Sequence, residues 1–341
     1  MAKRDKNGLT PIGNIITPQL IREIKGPTPI QQRLIDGAQF DAENPDAPRS
    51  LLYQHTVLCQ TCLPFRDPGD EAREWERLNG YVHLKVLAGE AMHPEKCRLV
   101  PVGLPFGPKA RMILMHINQQ ALQQKSPEIE VQDSLTKFVS RALNLDPKGR
   151  NMRTVKEQLA RLSASSIRLG VVKDGHAVTV NSQIVSAFDI WFPKDDRQRV
   201  LWPSTIRLSL DYWESLKTHA VPLDEDHIAR LSHSALALDI YQWLAQRLHR
   251  IPANQPVAIS WPALHAQFGQ GYERVDRFRQ VFKVALKQVQ LAYKSARISV
   301  DDFRKPARLY SQGGKRVWRE EPAKGLTLYS SPPPVRPSGK V

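Results

Sequence analysis

Mixed helix and strand arranged as two similar modules, behind a small β-rich extension, is the fold class the amino-acid sequence predicts. Three observations carry the prediction. The order helix, short strand, short helix, glycine break, longer basic helix, β-hairpin occurs twice along the chain. Both of the longer helices are amphipathic, with cations opposite their apolar face. The whole chain of 341 residues is basic, with 49 Lys and Arg against 34 Asp and Glu and a net charge of +15. A helix that docks on a core with one face and offers cations and amides with the other, next to a hairpin, has the layout of a winged helix. In that layout the third helix reads DNA and the hairpin is the wing. The fold class is therefore read as α+β, tandem winged-helix domains with a small N-terminal β-rich extension.

Taken in order, residues 1–48 read as a flexible N-terminal segment. Pro11, Pro18, Pro27, Pro29, Pro45 and Pro48 interrupt any long element there, leaving at most a short helical turn over Ile21–Ile24. From Ser50 the pattern turns strand-like, in LLYQHTVLCQTCLPF, GYVHLKVLAG and CRLVPVGLPFG. Residues 49–205 are assigned to this β-rich extension plus the first winged-helix domain. That domain starts with a helix from Lys109 to Gln124, followed by the strand EIEV and a short helix opened by Asp133 or Ser134. After Pro147 and Gly149 comes a helix over Met152–Ser165, then SIRLGVV and HAVTV around the turn KDG, and SAFDIWF.

Residues 206–330 are assigned to the second winged-helix domain. Its elements are a helix over Ser234–Arg250, the strand PVAISW, a short helix over Pro262–Phe268 and breaks at Gly269 and Gly271. A basic helix over Tyr272–Tyr293 follows, with RISVDDF, ARLYS and LTLYS as strands. Residues 331–341, ending a proline-rich run with few apolar residues, read as a disordered tail.

The two basic helices supply the candidate DNA-binding residues. In the second, Arg279, Lys283, Lys287 and Lys294 fall on one stripe with Gln290, opposite Val275, Phe278, Val281, Phe282, Ala285, Leu286 and Val289; Arg274 and Arg277 stand at its start. Gln280 and Gln290 have the amide that can read adenine. In the first, Arg153, Glu157 and Arg161 oppose Val155, Leu159 and Leu162, with Lys156 alongside. Arg150 precedes them, where helix N-terminal amides favour phosphate. The wing candidates are Lys173 in the first copy and Arg304, Lys305 and Arg308 in the second. The alternative for all of these cations is a solvated face on an ordinary helix.

Other chemistry is weakly represented. The ten histidines include no His-apolar-His triplet, and the chain has no GxxxxGK[ST] phosphate loop and no GxSxG elbow, so no enzymatic activity is expected. Asp224, Glu225 and Asp226 read as a helix cap and not as a metal site. Cys59, Cys62, His93 and Cys97 have the types for a tetrahedral zinc. In a strand, however, the first two side chains would diverge, so free cysteines are expected, with no metal and no cofactor. Trp191, Trp202, Trp213, Trp243 and Trp261 suit core positions. No run of eighteen apolar residues exists, and no apolar signal core follows the basic Met1–Lys6, so no membrane association and a cytoplasmic location are expected.

Longer stretches are distinctive in their wording. GLPFGPKARMILMHINQQAL, SLTKFVSRALNL and RTVKEQLARLSASSI are followed by FDIWFP, LWPSTIRLSLDYWESL, VPLDEDHIARLSHSALALDIYQWLAQRL, ISWPALHAQFGQGY and FRQVFKVALKQV. Together with CQTCLPFRD and GYVHLKVLAGEAM, they resemble the plasmid-encoded RepA replication initiator family over about residues 50–300. The resemblance implies a protein that binds repeated sequences in double-stranded plasmid origin DNA and opens or marks the origin for host replication initiation proteins or a helicase. Some related initiators dimerise and repress their own gene, which puts a homodimer among the expected partners. A winged-helix transcriptional repressor without a replication role is the alternative reading.

Overall fold

A computed structural model of the chain describes residues 26–93, 97–130, 139–140, 143, 146–173, 176–188, 205–300, 308–312, 315–319 and 325–335. It is a mixed α and β structure, as expected.

The first element corrects the expectation of a flexible start. Helix α1 (Pro29–Glu43) opens with a capping box, in which the Thr28 hydroxyl accepts from the Gln31 amide while the Gln31 side chain accepts from the Thr28 amide. Pro29 sits in the first turn, where its missing N–H costs nothing, so this proline starts a helix instead of breaking one. The apolar run after Ser50 begins as strand β1 (Leu51–His55) and then turns into helix α2 (Thr56–Gln60), because His55 Nδ1 accepts from the Val57 amide at 3.2 Å and caps a new first turn. Strands β2 (Glu74–Asn79), β3 (Val82–Leu87), β4 (Glu90–His93) and β5 (Arg98–Pro101) complete the extension.

The first module contains α3 (Gly107–Gln124), β6 (Glu128–Glu130), α4 (Gly149–Ala164), β7 (Ser166–Lys173), β8 (His176–Gln183), β9 (Val185–Phe188) and β10 (Thr205–Leu208). Of the short helix expected after β6, only Val139, Ser140 and Leu143 are described, and Val139 and Leu143 are fully buried. An antiparallel sheet of order β6-β10-β9 closes this module. The hairpin β7–β8 joins β2 and β3 in a four-stranded sheet of order β2-β3-β7-β8. Helix α5 (Leu210–His219), strand β11 (Ala220–Asp224) and helix α6 (Glu225–Leu231) follow, and Asp224 caps α6 by accepting from the His227 amide at 3.1 Å.

The second module contains α7 (Ala235–Arg247), extended by a 3-10 turn, then β12 (Val257–Ser260), α8 (Trp261–Phe268), α9 (Val275–Ala292), β13 (Ile298–Val300), β14 (Arg308–Gln312), β15 (Lys315–Arg319) and β16 (Gly325–Leu328). Its sheet has the order β12-β16-β13, with β14–β15 a separate hairpin between the two latter strands in sequence. Gly325 is required where β16 meets β12, since a Cβ there would lie 1.9 Å from the Ile259 carbonyl oxygen. Both three-stranded sheets thus place their last strand in the middle, between the first and the second.

One apolar cluster runs through both modules, with Trp213, Trp243 and Trp261 inside it; Trp191 and Trp202 lie outside the described residues. The expected disordered tail is corrected over 331–335. Ser331 and Val335 are buried, Ser331 Oγ accepts from the Arg297 amide at 2.9 Å, and the Tyr293 hydroxyl donates to the Pro332 carbonyl at 2.6 Å. Cys59 and Cys62 are buried, and burial raises both thiols, Cys62 to about 11. The Cys62 thiol donates to the Gln267 carbonyl at 3.6 Å, while Cys97 is exposed. No helix among the described residues is long and apolar enough to cross a membrane.

Candidate nucleic-acid interface

Helix α9 is fastened by Phe278, Phe282, Ala285, Leu286 and Val289, all buried. Its first turn starts without a side-chain cap at Arg274. The residues left exposed are Arg274, Val275, Asp276, Arg277, Gln280, Val284 and Lys287. The outward stripe is therefore rotated from the expected one. Arg279 and Lys283 are half-buried on its flank, and the Lys283 ammonium lies 5.9 Å from the centre of the Trp261 ring. Gln290 is likewise half-buried, and Lys294 is tied to the Ala38 carbonyl of α1.

At the head of α9, Arg274 forms a bidentate pair with Asp276 at 2.7 and 3.1 Å, which raises the guanidinium and lowers the carboxyl. Arg277 Nη1 donates to Gln280 Oε1 at 3.2 Å, so a cation and an amide are held side by side on the open face. Val284, 60% exposed in the middle of this stripe, went unnoticed in the sequence. An apolar group there suits the methyl of thymine.

Arg308 opens β14 opposite Arg319 of β15, while Ser311 faces Arg316 and Gln312 faces Lys315. Arg304 and Lys305 lie outside the described residues. The sequence reading missed Lys315, Arg316 and Arg319, although the run KRVWR carries both their charge and a strand's β-branched and aromatic residues.

In the first module, α4 starts at Lys148 without a side-chain cap and without an acidic residue in its first turn. Arg150 and Arg153 are exposed and Lys156 is half-exposed. Lys109 donates to Asn151 Oδ1 at 2.8 Å, and its ammonium is lowered by burial and then by the charge of Arg150. Cations thus gather at the positive end of a helix dipole, an arrangement that repels itself and attracts anions.

One expectation for this module is corrected. Arg161 is 7% exposed. Its guanidinium pairs with Asp67 at 3.2 Å and Glu157 at 2.8 Å, donates to the Leu104 carbonyl at 3.1 Å and stacks 4.9 Å from the Phe106 ring centre. It is neutralised inside and is not available to DNA. Lys173 ends β7 opposite His176, in a hairpin whose β7 strand pairs with β3 as far as Val171. Residues 189–204, which connect β9 and β10, lie outside the described residues.

Among known proteins, residues 104–262 match the RepA_C family, plasmid encoded RepA protein. No curated protein matches the chain. Among solved structures, the chain is similar to a crystal structure of RctB domains 2–3 spanning RctB residues 155–483. The TM-score is 0.46 at 9% identity, over 80% of this chain and 96% of that one. A selenomethionine derivative of domains 2 and 3 of RctB gives a TM-score of 0.46 at 9% identity, over 82% and 99%. The family match takes in α3, α4 and α7 and stops at the start of α8, short of α9 and the β14–β15 hairpin. Over residues 104–262, this chain is similar to the plasmid encoded RepA protein family.

Proposed function

We propose that the protein is a plasmid replication initiator that binds repeated sequences in its origin through two winged-helix units, 49–205 with the β-rich extension and 206–330. The observation that carries this reading is the shared strand order, β6-β10-β9 and β12-β16-β13, each beside a basic helix with outward cations. In the second unit, α9 enters the major groove with Arg277, Gln280, Val284 and Lys287 toward base edges and phosphates, while Arg308, Lys315, Arg316 and Arg319 of the hairpin hold the backbone. Arg274 is a phosphate ligand at the helix start, with Arg279 and Lys283 on the flank. In the first unit, Arg150, Arg153 and Lys156 take the same part. The action is positional and non-enzymatic. Recruitment of a host initiation protein or helicase rests on the family relation alone.

Footprinting the purified chain on the DNA flanking its own gene tests the proposal. Protection of directly repeated sites, together with loss of plasmid maintenance when the gene is deleted, supports it. Protection of a single promoter operator with maintenance intact would make the protein a repressor, and no retention on DNA would end the reading.

A further inference from the structure

Two DNA-reading modules on one chain can be strung on a flexible linker or fixed to each other, and the two designs demand different DNA. The segment from Leu51 to Phe65 precedes both modules in sequence and is bonded to both in space. Strand β1 pairs antiparallel with β11 over Leu51↔Asp224 to His55↔Ala220, and the Glu225 amide donates to the Ser50 carbonyl at 3.0 Å. Helix α2 packs on α7 of the second module, where Gln246 Nε2 donates to Thr56 Oγ1 at 3.3 Å.

The Gln60 carbonyl is a junction. It accepts from Asn79 Nδ2 of β2 at 2.8 Å and from Gln267 Nε2 of α8 at 2.9 Å. Through it, the sheet that carries the β7–β8 hairpin and the helix that precedes α9 share one acceptor.

The tightest tie is Arg111 of α3, 2% exposed. Its Nε and Nη2 grip both oxygens of Asp239 on α7 at 2.6 and 2.7 Å. Its remaining donors reach the carbonyls of Leu63 at 2.7 Å, Pro64 at 3.1 Å and Gly107 at 2.8 Å. All five N–H groups are used, and they join the first helix of one module, the first helix of the other and the segment that precedes both. A guanidinium so enclosed cannot turn without stranding buried polar groups on three elements at once.

We infer that this segment and the Arg111–Asp239 pair fix the two modules as one rigid body, so that a DNA site must present its two contact regions at one set spacing. The inference rests on the proposed DNA-binding role and goes beyond it, because it makes the buried Arg111 and Asp239 positioning residues for site selection.

The test uses the full chain and an origin repeat whose two contact regions have been located by footprinting. Insertions of 1, 2, 5 and 10 base pairs are placed between those regions. A rigid reader loses affinity with every insertion, down to the level of a site with one contact region scrambled, and a full turn of ten does not restore it. Affinity within threefold of the parent at every insertion, or recovery at ten, overturns the inference. If no DNA is protected, the initiator reading fails and scanning calorimetry judges the rigid body alone. A single transition with equal calorimetric and van't Hoff enthalpies supports it, and two transitions overturn it.

Discussion

Changing Asp239 to Asn keeps the shape of the side chain and removes its charge. In the folded protein Asp239 and Arg111 are 3% and 2% exposed, so water cannot take over the role of the lost carboxylate. Three of the five guanidinium donors keep their carbonyl partners, those of Leu63, Pro64 and Gly107. The two donors facing residue 239 lose a bidentate anion, and the buried cation loses its only close counter-charge among the described residues. Removing one partner of a buried pair costs about 3–5 kcal/mol, because the other charge is left uncompensated. Against a total stability of about 5–15 kcal/mol, that is a large fraction. Urea denaturation followed by far-ultraviolet circular dichroism measures it as a fall in midpoint at unchanged slope. A loss of under about 1 kcal/mol would refute the reasoning, since it would mean that solvent or another anion reaches Arg111.

Other consequences follow from the same geometry. Arg161→Ala is expected to lower stability by about 2–3 kcal/mol through its charged hydrogen bonds while leaving the salt dependence of DNA binding unchanged; a weaker salt dependence would put Arg161 back at the interface. Burial lowers His55 to about 3 and His116 to about 4, and His55 Nδ1 already accepts a hydrogen bond from Val57. The unfolded chain therefore takes up protons first, and the contribution of these histidines, complete above about pH 6.5, is lost as the pH falls toward 4, by up to about 1.4 kcal/mol per pH unit for each. A urea midpoint that stays level between pH 7 and 5 would contradict this. Burial would raise Asp41, but hydrogen bonds from His227, Arg230 and Arg49 outweigh it and hold the carboxyl well below its usual range. Its contribution thus lasts down to about pH 4 and is lost only below that. Deleting residues 331–341 should cost about 1–2 kcal/mol by removing the partners of Tyr293 and Arg297; thermal unfolding of the shortened chain checks it, and an unchanged midpoint would restore the picture of a free tail.

Periodicity made the long elements legible. The apolar faces of α3, α4, α7 and α9 recur at helical spacing, and glycine and proline mark the breaks between them, so these helices were located to within a few residues. Elements whose signal lies in capping and not in periodicity were missed. Thr28 with Gln31 makes Pro29 a start, and His55 ends a strand by capping α2. Long-range pairing was not legible either. Nothing local in β7 and β8 tells that they add to β2 and β3. Arg161 looks like its neighbour Arg153 on a helical wheel, and the partners that separate their fates include Asp67, Leu104 and Phe106, all far away in sequence. On α9 the wheel gave the buried face from Phe278 to Val289 but included the exposed Val275, and it placed the outward stripe off centre, because α8 packs along the side that carries Lys283.

The central claim, that the exposed stripe of α9 grips DNA, is tested most directly by the salt dependence of origin binding in the wild type and in the Arg277→Ala, Lys287→Ala double variant. Each phosphate contact contributes about 0.9 to the slope of log affinity against log salt concentration, so a fall of up to about 1.8 together with weaker binding is predicted. A slope and affinity equal to those of the wild type would contradict the claim.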